Sequence, residues 1–210
     1  MDRLLAFLCL IVLITSASVL KSQTENDFGI LEDKRDGNVY KTIVIGNQTW
    51  MAENLAYNPG EGKYRAYNDV KENIEQYGLL YDWETALNVC PDGWRLPSDE
   101  DWNVLTDYLG GEIEALGKMK SFGTKEDNTG LWVAPNDIGN NKSGFSAIPA
   151  GIHIGDNAFG GIGYGSYWWS STASDENNAW VRHMGRIYTS LVRVTTSKDL
   201  GFSVRCVMEK

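Results

Sequence analysis

Histidine, cysteine and proline are scarce in this 210-residue chain, with two, three and five copies. The two histidines, His153 and His183, stand at no metal-ligand spacing from a cysteine or carboxylate, so a zinc site is not expected. No Gly-x-x-x-x-Gly-Lys string is present to cradle a phosphate, and Ser170-Ser171 lacks a nucleophile elbow. Gly160-Gly161-Ile162-Gly163 has too little context to be a nucleotide loop. Positive charge is in deficit: 19 Lys and Arg stand against 28 Asp and Glu, a formal charge of −9. Such a chain lacks the basic surplus that neutralises phosphates, which argues against nucleic acid and anionic membranes. Long apolar runs, coiled-coil heptads, low-complexity tracts and repeats of about 20–50 residues are missing as well. What remains is 42% hydrophobic and 22% charged, with 22 Gly, 8 Trp and 10 Tyr. That composition fits one globular domain with a proper core.

Leu4 to Ile14 is the longest apolar stretch, and the small polar cluster Thr15-Ser16-Ala17-Ser18 follows it. It is too short to span a bilayer and fits the apolar region of a secretory signal, so residues 1–22 are expected to be removed after Ala17 or near Ser22. Residues 23–35 read as an N-terminal arm or leader strand, and 36–210 as a single domain. Cys9 lies inside the apolar run, not after it, which argues against a lipoprotein. The expected location is the periplasm, the outer surface or the medium, with no stable membrane insertion after cleavage. Without Asp2, Arg3 and Lys21 the mature chain carries 27 acidic and 17 basic residues, a net charge of −10. It keeps Cys90 and Cys206, which in an oxidising compartment tend to pair; two free thiols are the alternative.

Along the mature chain, Val39 to Ile45 is a β-branched run, and Gly46-Asn47 turns it into Gln48–Met51 as a hairpin. Residues 54–77 carry no period and read as an ordered surface loop. Trp83, Ala86, Leu87 and Cys90 form one stripe of a helix that Asp82 caps. Pro91-Asp92-Gly93 ends it. Ser98 with Asp101 makes a capping-box pattern for a second helix carrying Trp102, Leu105 and Leu109, and a third is expected around 113–120. Strands are expected at 130–133, 145–152, 166–172, 179–184, 187–195 and 202–208. In the last, Phe202, Val204, Cys206 and Met208 alternate with Ser203, Arg205 and Val207. Cys206 and Cys90 thus both face apolar surroundings that the first helix and final strand can share. A bridge between them closes a loop of 117 residues, worth roughly 4–5 kcal/mol in the chain-entropy model.

Several blocks are familiar in their order: Asp36-Gly37-Asn38-Val39-Tyr40, Gln48-Thr49-Trp50-Met51-Ala52-Glu53-Asn54-Leu55, Cys90-Pro91-Asp92-Gly93-Trp94-Arg95-Leu96-Pro97-Ser98, Gly144-Phe145-Ser146-Ala147-Ile148-Pro149, Tyr167-Trp168-Trp169-Ser170-Ser171 and Gly201-Phe202-Ser203-Val204-Arg205-Cys206. Over residues 36–209 the chain resembles the Fibrobacter succinogenes major paralogous domain, a family of exported proteins from Bacteroidetes-type bacteria. The layout is also similar to C-type lectin-like proteins. That similarity implies an α+β fold with two helices on a twisted, mostly antiparallel sheet, a loop-rich region from about 121 to 178, and the same Cys90–Cys206 pairing.

The lectin likeness raises calcium-dependent sugar binding, which needs six to eight clustered oxygens. The nearest strings, Ala134-Pro135-Asn136-Asp137 and Asn178-Ala179-Trp180-Val181, lack the key acid. Asp137, Asn140 and Asn141 are the remaining metal candidates, and their types suit turns equally well. No cofactor is expected, calcium being possible without a recognisable motif. Trp168 and Trp169 are adjacent on a strand and must point to opposite faces. If one enters the core, the other either crosses to a second layer, the packing role that the family blocks favour, or lies near the surface as a candidate for stacking on a sugar. Tyr164, Tyr167, Asp156, Asp175 and Glu176 complete the candidate ligand set. Trp83, Trp94 and Trp102 are assigned to the core. No catalytic residue is identified. A formylglycine-generating activity, which the broad fold also hosts, needs reactive cysteines that the bridge would occupy. The expectation is therefore a non-catalytic binding or adhesion module for a glycan or surface protein, with a structural surface or fimbrial component as the alternative.

Overall fold

The computed structural model describes residues 27–209. The expected signal segment and the first residues of the arm lie outside them. In chain order the elements are β1 (Gly29–Glu32), β2 (Val39–Ile45), β3 (Gln48–Met51), β4 (Tyr64–Arg65), a 3-10 turn (Tyr67–Asp69), α1 (Glu72–Tyr77), β5 (Leu80–Tyr81), α2 (Trp83–Ala86), β6 (Trp94–Arg95), α3 (Asp99–Tyr108) and α4 (Glu112–Met119). They continue with β7 (Ala150–Gly155), β8 (Ala158–Ile162), β9 (Gly165–Ala173), β10 (Asn178–Gly185), β11 (Val192–Ser197) and β12 (Val207–Met208). The fold is α+β and mostly sheet, with few and short helices. One sheet runs β1-β2-β3-β12-β6, a second runs β11-β10-β9-β7-β8, and β4 pairs with β5. All pairings are antiparallel except β7 with β9.

The segment from Gly201 to Val207 is the seam between the sheets. Ser203 bridges to Trp168 and Phe202 to Tyr81, while Val207 pairs with Trp50 and Arg95. Every residue of that segment is buried. The alternation read from the sequence is therefore two-sided: Phe202, Val204 and Cys206 enter one apolar cluster, Val207 enters the other, and only Met208 emerges. Arg205 is buried too. Its guanidinium donates to Asn54 Oδ1 at 2.7 Å and to the carbonyls of Met51, Phe145 and Ser146, which tie the irregular 145–146 backbone to the seam. Cys206 is bonded to Cys90, with Cα atoms 5.9 Å apart.

Several expectations are corrected. The first helix is a single turn: Leu87 is its αR C-cap, and the next amide, Asn88, already donates to Thr85 three residues back; Asp82 still caps the start, accepting from the Thr85 amide. Residues 54–77 hold β4, the 3-10 turn and α1, so they are not merely loop. Residues 130–133 make only the isolated bridge of Trp132 to Thr124, and the strand expected at 145–152 begins at Ala150. Ile187 to Leu191 belong to no strand; β11 starts at Val192. The irregular region is accordingly 121–149, since 150–178 is largely strand. The capping box of α3 is present with both reciprocal bonds, and α4 matches the third helix. Trp83, Trp94 and Trp102 are buried as expected.

Candidate functional site

Trp168 and Trp169 do point to opposite faces of β9, but both are 0% exposed. Of the two readings of the pair, packing holds and the candidate sugar contact by an open ring does not, because β9 is a central strand with an apolar cluster on each side. Trp168 packs on Trp102 and Phe145, and its indole donates to Asn54 Oδ1 at 3.0 Å. Trp169 packs on Phe202 and donates to the Tyr81 carbonyl at 2.8 Å. Each buried ring contributes on the order of 5 kcal/mol of transfer free energy, and neither has a donor left over.

The tyrosines flanking this pair do reach the surface. Register brings them together with residues from the other end of the β9–β10 hairpin: Gly165 pairs with Gly185 and Tyr167 with His183. The Tyr167 and His183 rings stack at 3.7 Å and 10°, and Tyr188 meets His183 edge-on at 4.8 Å. Tyr164 follows a turn closed by its amide donating to the Gly161 carbonyl, and it is 51% exposed. A Cβ on Gly185 would stand 2.8 Å from the Tyr188 ring, so only glycine lets that ring lie against the strand. These side chains, with Ile152 and Ile187, line an open cleft of about 340 Å³. Burial pushes the His183 imidazole down to about 4, so it is neutral in the cleft at physiological pH. Arg186 stands at the rim, its guanidinium 5.1 Å from the Tyr164 ring centroid, and it is the only ionised side chain lining the cleft.

The acidic candidates are not brought to this cleft. Asp175 and Glu176 occupy the β9–β10 turn, at the far end of β9 from Tyr164. Asp175 there accepts from the amides of Asn177 and Asn178, and these bonds, led by the one from the Asn178 side chain, hold its carboxyl below the usual range. Asp156 lies exposed in the β7–β8 turn with φ +44°. Asp137 and Asn140 line a neighbouring cleft of about 750 Å³ beside α4, which shares Arg186, Ile187 and Tyr188 with the aromatic cleft. Asn140 accepts from the Lys142 amide, and Asn141 bonds both the amide and the hydroxyl of Ser146. Those amides thus fasten their own loop. Among the described residues no group of three or more His, Cys, Asp or Glu is placed to hold a metal. The aromatic candidates converge, and the acidic ones do not.

His183, Arg186, Ile187 and Tyr188 escaped sequence reasoning as parts of the site. The signal was hairpin register: pairing Trp168 with Arg182 puts position 164 opposite 186, just beyond the two glycines that end the ladder. The strand assigned at 187–195 concealed it.

The model of the Fibrobacter succinogenes major domain matches residues 43–208. The chain belongs to this family. The match takes in the seam, the aromatic cleft and, apart from Tyr40, the buried residues of both core clusters. Comparison with curated proteins and with solved structures returns no match. Membership brings no ligand or activity with it, so function is read from the cleft itself.

Proposed function

We propose that the protein is an exported, non-catalytic binding module that takes a glycan in the cleft of Tyr164, Tyr167 and Tyr188, on a C-type lectin-like framework. One observation carries this reading: the exposed rings of Tyr164 and Tyr188, with half-buried Tyr167 and apolar Ile152 and Ile187 beside them, form a concave aromatic surface suited to the flat apolar face of a pyranose ring. The cleft offers phenol hydroxyls at the edges of those rings and no arrangement of nucleophile and base. The Cys90–Cys206 bond supports export to an oxidising compartment. The lectin-like comparison draws support from the same bond, which ties the turn after α2 to the last strand segment. The reading requires no metal, and calcium enters only as a variable of the test.

The test is a glycan array probed with residues 23–210 with and without EDTA, repeated with Tyr164→Ala and Tyr188→Ala. Binding to a defined glycan class that each variant weakens about tenfold is expected, a loss typical of one aromatic contact. An array on which no glycan is retained overturns the reading.

A structural surface component is the second reading, favoured by Ile30, Val39 and Val44, which stand exposed on the β1–β2 hairpin with β1 at a sheet edge. It expects concentration-dependent self-association that Val39→Lys with Val44→Lys abolishes, read by light scattering.

A further inference from the structure

We infer that the glycan carries an isolated carboxylate, as a uronic acid unit does, and that Arg186 is the residue that recognises it; this rests on the glycan reading of the cleft. The molecule is acidic overall, with a formal charge of −9, yet among the described residues no Asp or Glu lines this cleft, Glu114 and Asp137 lying in the neighbouring cleft that Arg186 also borders. Its one charged lining residue is an arginine at the rim. Of the five N–H donors of that guanidinium, a single one is engaged among the described residues, by the Ala134 carbonyl. Among the described residues no carboxylate lies within ion-pair distance of it. Other arginines are satisfied inside the fold, Arg205 by Asn54 and backbone carbonyls and most of the rest by a carboxylate. Arg182 and Arg193 are both paired with Asp99, Arg95 with Asp101, and Arg65 with Asp69.

Arg186 is also fixed in place. Its amide donates to the Tyr164 carbonyl at 2.8 Å, its guanidinium rests near the Tyr164 ring, and the Ala134 carbonyl anchors one terminal nitrogen. A planar fork held beside an aromatic platform matches a carboxylate on the edge of a stacked sugar, where two parallel charge-assisted bonds form. His183 adds no positive charge at neutral pH, so one carboxylate is all the cleft neutralises. A polyanion would meet the acidic remainder of the surface and be repelled, which limits the ligand to sparse charge.

The experiment titrates full-length mature protein with a xylo-oligosaccharide bearing one glucuronic acid branch, and with the same oligosaccharide after its carboxyl is reduced to the alcohol. Isothermal calorimetry at low and moderate salt reads both. The acidic form is expected to bind at least about tenfold more tightly, with the difference shrinking as salt rises. Arg186→Gln is expected to abolish the difference between the two forms, whereas Tyr164→Ala weakens both and leaves their ratio in place. Equal binding of the two forms by wild-type protein overturns the carboxylate inference and leaves the glycan reading standing. If neither form binds, with a sulfated oligosaccharide captured instead through Arg186, the carboxylate is the wrong anion and the inference falls. Failure of every glycan overturns both together.

Discussion

His183 sits where packing and ionisation oppose each other. Its ring is clamped between Tyr167 and Tyr188 and is 9% exposed, and burial lowers its protonation to about 4 from 6.5. The native state refuses a proton that the unfolded chain accepts below about pH 6.5. Stability is therefore whole above that point and falls as the pH drops towards 4, by on the order of 3 kcal/mol. His183→Phe keeps an aromatic ring against Tyr167 and cannot titrate. Urea midpoints at pH 7 and pH 4 should show a smaller decrease for the variant than for wild type. Parallel decreases would mean that the imidazole is hydrated in solution. The residue also explains why the tryptophan pair misled as a surface mark: an aromatic dipeptide reports the two faces of a strand, but not whether each face is covered. On β9 both faces are covered, and the ring that reaches solvent is the tyrosine one turn outside the ladder.

The start of α3 was legible because its determinants are local. Ser98 and Asp101 lie within four residues and the bonds of the box run between the two of them, although Asp99 beside them also reaches across to Arg182 and Arg193. Burial drives the Asp101 carboxyl up, but hydrogen bonds from Arg95 and Ser98 outweigh it and hold the group at about 2. Asp101→Asn removes the ion pair with Arg95 and the strongest acceptor of the box, and is expected to cost about 1–2 kcal/mol at pH 7. The native carboxylate loses its advantage as the pH falls from about 4 through 2, so the gap between wild type and variant should close across that window. Chemical denaturation at pH 7 and pH 2.5 checks it, and an undiminished gap at the lower pH would place the loss in helix geometry instead. The elements that sequence did not reveal are those made by distant partners. α1 has only Ile74 and Tyr77 to mark a face, too little for a period. The seam at 201–207 alternates like a half-exposed strand, yet it lies between two sheets, so Arg205 meets carbonyls from 145–146 rather than water. In the candidate site, Tyr164 and Tyr167 were visible as aromatics beside glycines, whereas Arg186 and Tyr188 required the hairpin register.

At the scale of the whole molecule, the chain is joined twice at its seam: by β12 pairing with both β3 and β6, and by the Cys90–Cys206 bond. The bond encloses α3, α4, the entire second sheet and the aromatic cleft, with a sequence separation of 116. A loop of that length constrains the unfolded chain far more than it alters the native one, for a contribution of about 4–5 kcal/mol. Native domains of this size hold only about 5–15 kcal/mol in all, so the bond represents a large share. Cys90→Ser with Cys206→Ser should lower Tm by roughly 10–20 °C while leaving the folded population intact at low temperature. Because the effect lies in the unfolded state, glycan affinity measured at about 10 °C should be unchanged. Wild type unfolded in reductant should reproduce the variant's transition. Affinity lost together with stability would show instead that the bond shapes the cleft through the native seam, and an unshifted transition would show that strand pairing and the two apolar clusters suffice to close the molecule.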